Sequence, residues 1–239
     1  MAKTTLHPAN TRGHANHGWL DSHHTFSFAS YHNPERMNFG VLRVLNDDVV
    51  APGHGFGKHA HDNMEIISIP LSGDLEHEDS LGNKAVIRQG DIQAMSAGTG
   101  VRHSEKNGHA DQEVRFLQIW LFPNRQAVAP RYDQFAYDRL QMQNNLLQVL
   151  SPQADDQGVW IHQDAWFHLG ELDAGFQTEY MLKLPQSNGV YAFVLSGDVT
   201  IAGQALHARD GFGIWDTDRI DLRADSPAQI LLMEVPMIG

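Results

Sequence analysis

One short segment of the chain occurs twice. Leu71-Ser72-Gly73-Asp74-Leu75 returns 124 residues later as Leu195-Ser196-Gly197-Asp198-Val199. Each copy is followed by a second glycine turn that feeds an apolar run. These are Gln89-Gly90-Asp91-Ile92-Gln93-Ala94-Met95 and Arg209-Asp210-Gly211-Phe212-Gly213-Ile214-Trp215. Two ordered matches at nearly one offset read as a duplicated unit of strand, turn and strand. The rest of the chain agrees. Short β-branched and aromatic runs (Val41–Leu45, Met64–Leu71, Val86–Arg88, Val114–Phe122, Leu146–Leu150, Gly189–Leu195, Val199–Ala202, Ile230–Val235) alternate with Gly, Asn and Asp clusters such as Asn46-Asp47-Asp48. That texture predicts an all-β protein. The one helical candidate is Tyr132–Gln143, and the boundary between the two units is expected in the polar stretch Asp138–Asn145.

Composition narrows the chemistry. There is no cysteine, which excludes disulfides, thiolate metal sites, iron–sulfur clusters and a cysteine nucleophile. Histidine is abundant, at 15 residues, and the formal net charge is −12. Phosphate neutralisation needs clustered Lys and Arg, so direct nucleic-acid contact is not expected. The first twenty residues have no apolar core stretch, and no run approaches a membrane span. A soluble cytoplasmic protein is expected.

The densest chemical signal is Gly53-His54-Gly55-Phe56-Gly57-Lys58-His59-Ala60-His61-Asp62-Asn63-Met64-Glu65. On a strand, residues two apart share a face, so His59, His61, Asn63 and Glu65 should point one way. A second run, Gly98-Thr99-Gly100-Val101-Arg102-His103-Ser104-Glu105, places His103 and Glu105 on one face. Three imidazoles and a carboxylate make a mixed N/O site that accepts Fe, Ni, Mn, Co, Cu or Zn and leaves positions open. Phe56, Phe116, Gln118 and Trp120 are candidates for a pocket wall or for packing. His14, His17 and His54 read as turn or surface residues, and His77-Glu78-Asp79 as a hairpin rim. Asp47-Asp48 and Asp155-Asp156 read as solvated turns. Gly53, Gly55 and Gly57 do not make a phosphate loop, because Lys58 is followed by His59 and no helical run follows.

Gly53-x5-His59-x-His61-x3-Glu65 with Gly73, and Gly90-x5-Ser96-x-Gly98 with His103-x3-Asn107, resemble the two cupin motifs. The sequence departs from them in a longer Glu65–Gly73 gap, in Ser96 where Pro is usual, and in a wider gap before His103. His59-x-His61-x3-Glu65 with Ala97-Gly98-Thr99-Gly100-Val101-Arg102-His103-Ser104-Glu105 resembles the pirin family. So do Arg12-Gly13-His14-Ala15-Asn16-His17-Gly18-Trp19-Leu20, Thr25-Phe26-Ser27-Phe28-Ala29, Gln118-Ile119-Trp120 and Ile214-Trp215-Asp216. The resemblance implies a bicupin, two β-barrels of the double-stranded β-helix type. Residues 1–138 would form the metal-binding barrel and residues 139–239 a barrel without metal. Lys183 and Pro185 stand where the second unit would need its histidines.

The resemblance assigns His59, His61, His103 and Glu105 as ligands of one divalent transition metal, with Fe(II) the first choice and Ni, Mn, Co, Cu and Zn also compatible. It leaves Glu65 as a reserve ligand or an acceptor for an imidazole N–H. Glu105 is either a plain ligand or a base beside the metal. The activity implied is oxygen-dependent cleavage of the flavonol heterocycle with release of carbon monoxide, Phe56, Phe116 and Gln118 contacting a small aromatic substrate. The other activity implied by the family is a redox-responsive co-regulator acting through protein partners. A monomer is expected in either case.

Overall fold

The structure, a computed structural model, describes residues 2–237. Its first half consists of β1 (Lys3–His7), β2 (Gly13–Asn16), β3 (Leu20–His24), β4 (Leu42–Val50), β5 (Gly55–His61), β6 (Glu65–Ser72), β7 (Asp74–Asp79), β8 (Lys84–Arg88), β9 (Asp91–Ser96), β10 (Val101–Asn107), β11 (Val114–Leu121) and β12 (Arg131–Ala136). A 3₁₀ turn, Arg139–Met142, leads into the second half. This contains β13 (Leu146–Ser151), β14 (Val159–Trp160), β15 (Trp166–Leu172), β16 (Gln177–Met181), β17 (Asn188–Ser196), β18 (Val199–Ile201), β19 (Gln204–Leu206), β20 (Gly211–Trp215), β21 (Arg219–Ala224) and β22 (Ala228–Pro236). Each half pairs a seven-stranded sheet with a four-stranded one. The first barrel has β12-β9-β6-β11-β4-β3-β2 and β5-β10-β7-β8, and the second has β1-β20-β17-β22-β15-β13-β14 and β16-β21-β18-β19. The molecule is a bicupin. Among the described residues no helix is long and apolar enough to cross a membrane.

The repeat marks equivalent corners of the two barrels. Gly73 and Gly197 join β6 to β7 and β17 to β18 with φ of 74° and 76°. Glycine is the default where the chain must turn left-handed. A side chain there would also press on the start of the neighbouring long strand. A Cβ on Gly73 would lie 2.9 Å from Glu113 O, and one on Gly197 2.2 Å from Pro227 O.

Three local expectations are corrected. The first concerns β1, which pairs with β20, Lys3 opposite Trp215 through His7 opposite Gly211. A division at residue 138 therefore leaves the first strand in the wrong barrel. The second is the Tyr132–Gln143 helix. It is strand β12, registered on β9 from Arg131–Ser96 to Ala136–Asp91, followed by the 3₁₀ turn that Asp138 caps through Leu140 N–H. Its weak helical pattern yields to an open sheet edge, where Gln134 Nε2 also donates to Val86 O. The third is Asp47-Asp48, which lies inside β4 rather than in a turn. Asp47 pairs with Arg12 at 3.1 Å, and Asp48 is buried beside Ser22.

The faces of the large sheets divide the core. Ile67, Ile69, Leu117, Ile119 and Leu121 of the first barrel pack against Leu147, Phe167, Phe193, Leu231 and Met233 of the second in one buried cluster. The interior of the second barrel is filled separately by Val190, Val194, Ile201, Phe212, Ile220 and Leu222, among others. The interior of the first barrel holds only small apolar clusters. That difference leaves room for chemistry in one barrel and not in the other. Lys183 and Pro185 belong to a loop pinned by Glu234, which accepts from Lys183 N–H and Leu184 N–H at 2.9 Å each.

Burial holds three histidines neutral. His7, His24 and His168 are each lowered to about 4, desolvation being the main cause. A folded-state value below the unfolded one of about 6.5 means that the unfolded chain takes up protons first. Their contribution is complete above about pH 6.5 and is lost as pH falls towards 4. The difference in unfolding free energy between the protein and its His168→Gln variant, in which the opposite contribution of the buried Asp48 and Glu65 carboxylates cancels, should fall between pH 7.5 and 4.5 by on the order of 2 kcal/mol. A flat profile would contradict this.

Candidate metal centre

The site forms where β10 lies between β5 and β7. His59 stands opposite His103, and His103 opposite Asp79. A bulge between His103 and Glu105 then sets Glu105 opposite Phe56 on one side and His77 on the other. Along β10 the burial alternates, so that Val101, His103, Glu105 and Asn107 face inwards and Arg102 and Lys106 outwards. A two-residue period thus delivers an imidazole and a carboxylate to one interior face.

The three imidazoles converge. Ring centroids lie 4.7 Å apart for His59 and His61, 4.4 Å for His59 and His103, and 4.9 Å for His61 and His103. One donor atom from each of the three lies within 4.8 Å of the others, and the same holds for His77, His103 and Glu105. His103 belongs to both groups. His59 Nδ1–H donates to Gly57 O at 2.8 Å, which leaves Nε2 as the free lone pair. His61 Nε2 and both ring nitrogens of His103 are buried without a hydrogen-bond partner among the described residues. Buried polar atoms are normally satisfied, so this concentration of orphans needs a ligand. Burial, with the neighbouring imidazoles, lowers His61 to about 4 and His103 to about 3. Neutral imidazole is the metal-binding form.

Glu105 is the carboxylate grouped with His103. Its side chain is buried, Oε1 accepts from Ser68 Oγ and Oε2 from Gln118 Nε2, both at 2.9 Å. Gln118 Oε1 in turn accepts from Trp120 Nε1–H at 3.2 Å. Neutral donors orient the carboxylate but supply no countercharge, and a buried charge is costly until a cation joins it. Nitrogen and carboxylate donors without sulfur fit a divalent transition metal with open positions. His59, His61, His103 and Glu105 would hold it. Gln118→Leu should release one oxygen of Glu105 and weaken metal binding about 10–100-fold, as read by competition with a chelator. Unchanged affinity would show that the Gln118 contact does not orient the ligand.

Glu65 is not in this site. Asn63 turns the chain with φ of 44° and accepts Ala127 N–H at 2.7 Å, so the strand parity from His59 is broken. Glu65 opens β6 opposite Leu121, on the face that packs between the barrels, whereas Ser68 and Gln118 lie on the inner face. Its carboxylate accepts from Ser96 Oγ at 2.7 Å, and burial raises it to about 7. It is neither a reserve ligand nor an acceptor for a site imidazole.

His77 is also corrected. It is a buried interior residue rather than a rim, with Nε2 3.1 Å from Asp79 Oδ2 and its ring 5.4 Å from that of His103. Its strand, Asp74-Leu75-Glu76-His77-Glu78-Asp79, is polar but for Leu75, which conceals the alternation that buries Leu75, His77 and Asp79. Asp79 also caps the hairpin through Leu81 N–H and Asn83 N–H.

The candidate ligands open onto a cavity of about 660 Å³. His59, His61, His103, Glu105, Gln118 and Phe56 line one side. Trp19, Phe28 and Trp120 supply further aromatic wall, Phe28 standing edge-on to Trp120 at 5.5 Å. Phe116 is fully buried behind Phe56, at 6.5 Å and 89°, and does not line the cavity. The β2–β3 hairpin closes the opposite side, and His17 lies in that wall. His54 donates Nδ1–H to Pro52 O at 2.8 Å, and His14 lies 2.9 Å from Asp21; neither lines the cavity. The aromatic residues of the Trp19 and Phe28 motifs were the available signal for this wall.

Known proteins resemble this chain over nearly its whole length. The family model described as Pirin matches residues 5–121, and one described as the quercetinase C-terminal cupin domain matches residues 148–235. The quercetin 2,3-dioxygenase of Escherichia coli K12 is 44% identical over 233 residues, covering 98% of this chain and 99% of that protein. A pirin-like protein of Caulobacter vibrioides is 39% identical over 95% of this chain and 97% of its own length. The bacterial pirin YhhW of Escherichia coli, solved in complex with nickel(II), superposes with a TM-score of 0.93 at 43% identity, over 99% of this chain and 100% of that one. With two family models in order and relatives similar over nearly their full lengths, the chain belongs to the pirin family.

Proposed function

We propose that the protein is a metal-dependent dioxygenase that cleaves the heterocycle of flavonols such as quercetin, consuming O₂ and releasing carbon monoxide. The observation that carries this reading is the set of orphaned imidazole nitrogens and the uncompensated Glu105 on the wall of an aromatic cavity. Relatives named quercetin 2,3-dioxygenase support it. Bound to His59, His61, His103 and Glu105, a divalent metal supplies Lewis acidity at the 3-hydroxyl oxygen of the flavonol. Iron(II) suits the imidazole and carboxylate donors, and a pirin relative holds nickel(II).

The chain's own residues do the rest. Phe56, Phe28 and Trp120 hold a flat ring system and exclude water from the reacting edge. Gln118 and Ser68 hold the two oxygens of Glu105 and fix it in the ligand position. The protein acts as a cytoplasmic monomer on a small molecule, without nucleic acid; its charge of −12 supports the last point. Turnover of quercetin under ¹⁸O₂ should give a ring-opened ester carrying two labelled oxygens, with carbon monoxide in the headspace. Unlabelled product, or no carbon monoxide from metal-loaded protein, would overturn the reading.

A further inference from the structure

The cavity has a second polar wall that holding a metal does not explain. Ser22, His24, Asn46 and Asp48 all line it. They belong to the inner face of the large sheet, where Gln118, Asn46 and His24 form one cross-strand row and Phe116, Asp48 and Ser22 the next. Gln118 holds Glu105 at the metal side. Two strand spacings, about 10 Å, separate Gln118 from His24 along the row. The polar wall therefore starts at Asn46, one strand spacing from Gln118, and runs away from the histidine cluster to His24.

All four residues are buried, with Asp48 3% exposed. Asp48 Oδ1 accepts the Ser22 hydroxyl in a short hydrogen bond, and Ser22 Oγ lies 2.8 Å from His24 Nε2. With the Ser22 proton directed to Asp48, His24 supplies the other proton at Nε2, and its Nδ1 carries only a lone pair. That Nδ1 and Asn46 Oδ1 are buried without a partner among the described residues. Burial lowers His24 to about 4, so no positive charge stands on this wall near neutral pH, and burial raises Asp48 to about 7, so its negative charge is only partial there. Unpartnered acceptors buried just within the wall of a cavity lined in part by aromatic rings call for a neutral donor.

We infer that Ser22, His24, Asn46 and Asp48 form a second subsite that accepts a phenolic hydroxyl at the end of the substrate remote from the metal. The subsite selects among flat aromatic ligands by the hydroxyls on the pendant ring. A site built to bond a hydroxyl discriminates strongly against the analogue that lacks it, because its own buried groups are then left unpaired. This inference rests on the flavonol reading of the same cavity.

Full-length, metal-loaded protein tests it by quenching of the fluorescence of Trp19 and Trp120, which line the cavity. The two probes are quercetin and the flavonol without hydroxyls on the pendant ring. The ratio of their dissociation constants is the readout, so changes in general affinity cancel. Asp48→Asn and Ser22→Ala should each shift that ratio against quercetin by about 10-fold relative to the unsubstituted protein. Metal stoichiometry and melting midpoint establish that each variant is folded, and Ser22→Ala carries the test if Asp48→Asn is not. An unshifted ratio in folded variants overturns the subsite. Failure of the oxygenase reading looks different: quercetin binds to metal-loaded protein and no oxygen is consumed.

Discussion

Changing His103 to alanine is expected to abolish metal loading and flavonol turnover together. His103 is the imidazole common to both donor groups, and both of its nitrogens lack a partner among the described residues. Its removal takes away the imidazole that stands opposite His59 on the neighbouring strand and that is grouped with Glu105. Loss of an outer hydrogen-bonding partner costs about 10–100-fold in metal affinity, and loss of a ligand should exceed that. Elemental analysis after dialysis should show less than a tenth of the metal carried by the unsubstituted protein. Fold should survive, because the residue removed is an unsatisfied buried polar group rather than a packing element. Full metal content in the variant, or turnover without metal, would contradict the assignment.

The second large effect is on stability. Phe167→Ala should lower the unfolding free energy by about 3–5 kcal/mol, since it empties the space of a fully buried aromatic ring. Phe167 lies in the cluster shared by both barrels, with Ile67, Ile119 and Leu231 among its members. β1 also crosses from the N-terminal end of the chain into the second barrel. The two barrels should therefore unfold in one transition, and the variant should shift that transition as a whole. Two separated transitions in calorimetry, only one of them moved, would show that the barrels are independent.

Much of this architecture is legible in the sequence because its cues are local. The Ser-Gly-Asp turns announce both barrels, since a left-handed corner that presses on a neighbouring strand admits little besides glycine. His59 and His61 reveal themselves by a two-residue period within one strand. Pairing decided over long distances is not legible in the same way. The exchange of β1 depends on an edge of β20 more than 200 residues away, and β12 looks helical until the free edge of β9 is known.

Strand parity fails at Glu65 for a specific reason: Asn63 takes a left-handed turn, and the count restarts on the other face. Polar residues inside a barrel mislead for another. Asp48 and His77 are buried, yet in sequence they sit among acidic neighbours and read as a solvated turn and a hairpin rim. In a barrel that encloses a cavity, the inner face is where polar residues gather. Hydropathy alone assigns them to the wrong side.

Oxygen uptake with quercetin tests the central claim most directly. The protein is stripped of metal, reconstituted with Fe(II) under anaerobic conditions, and then exposed to quercetin and O₂ beside an unreconstituted sample. The account predicts uptake of one O₂ per flavonol consumed in the loaded sample and none in the stripped one. Stoichiometric metal with no uptake above the stripped control would contradict it.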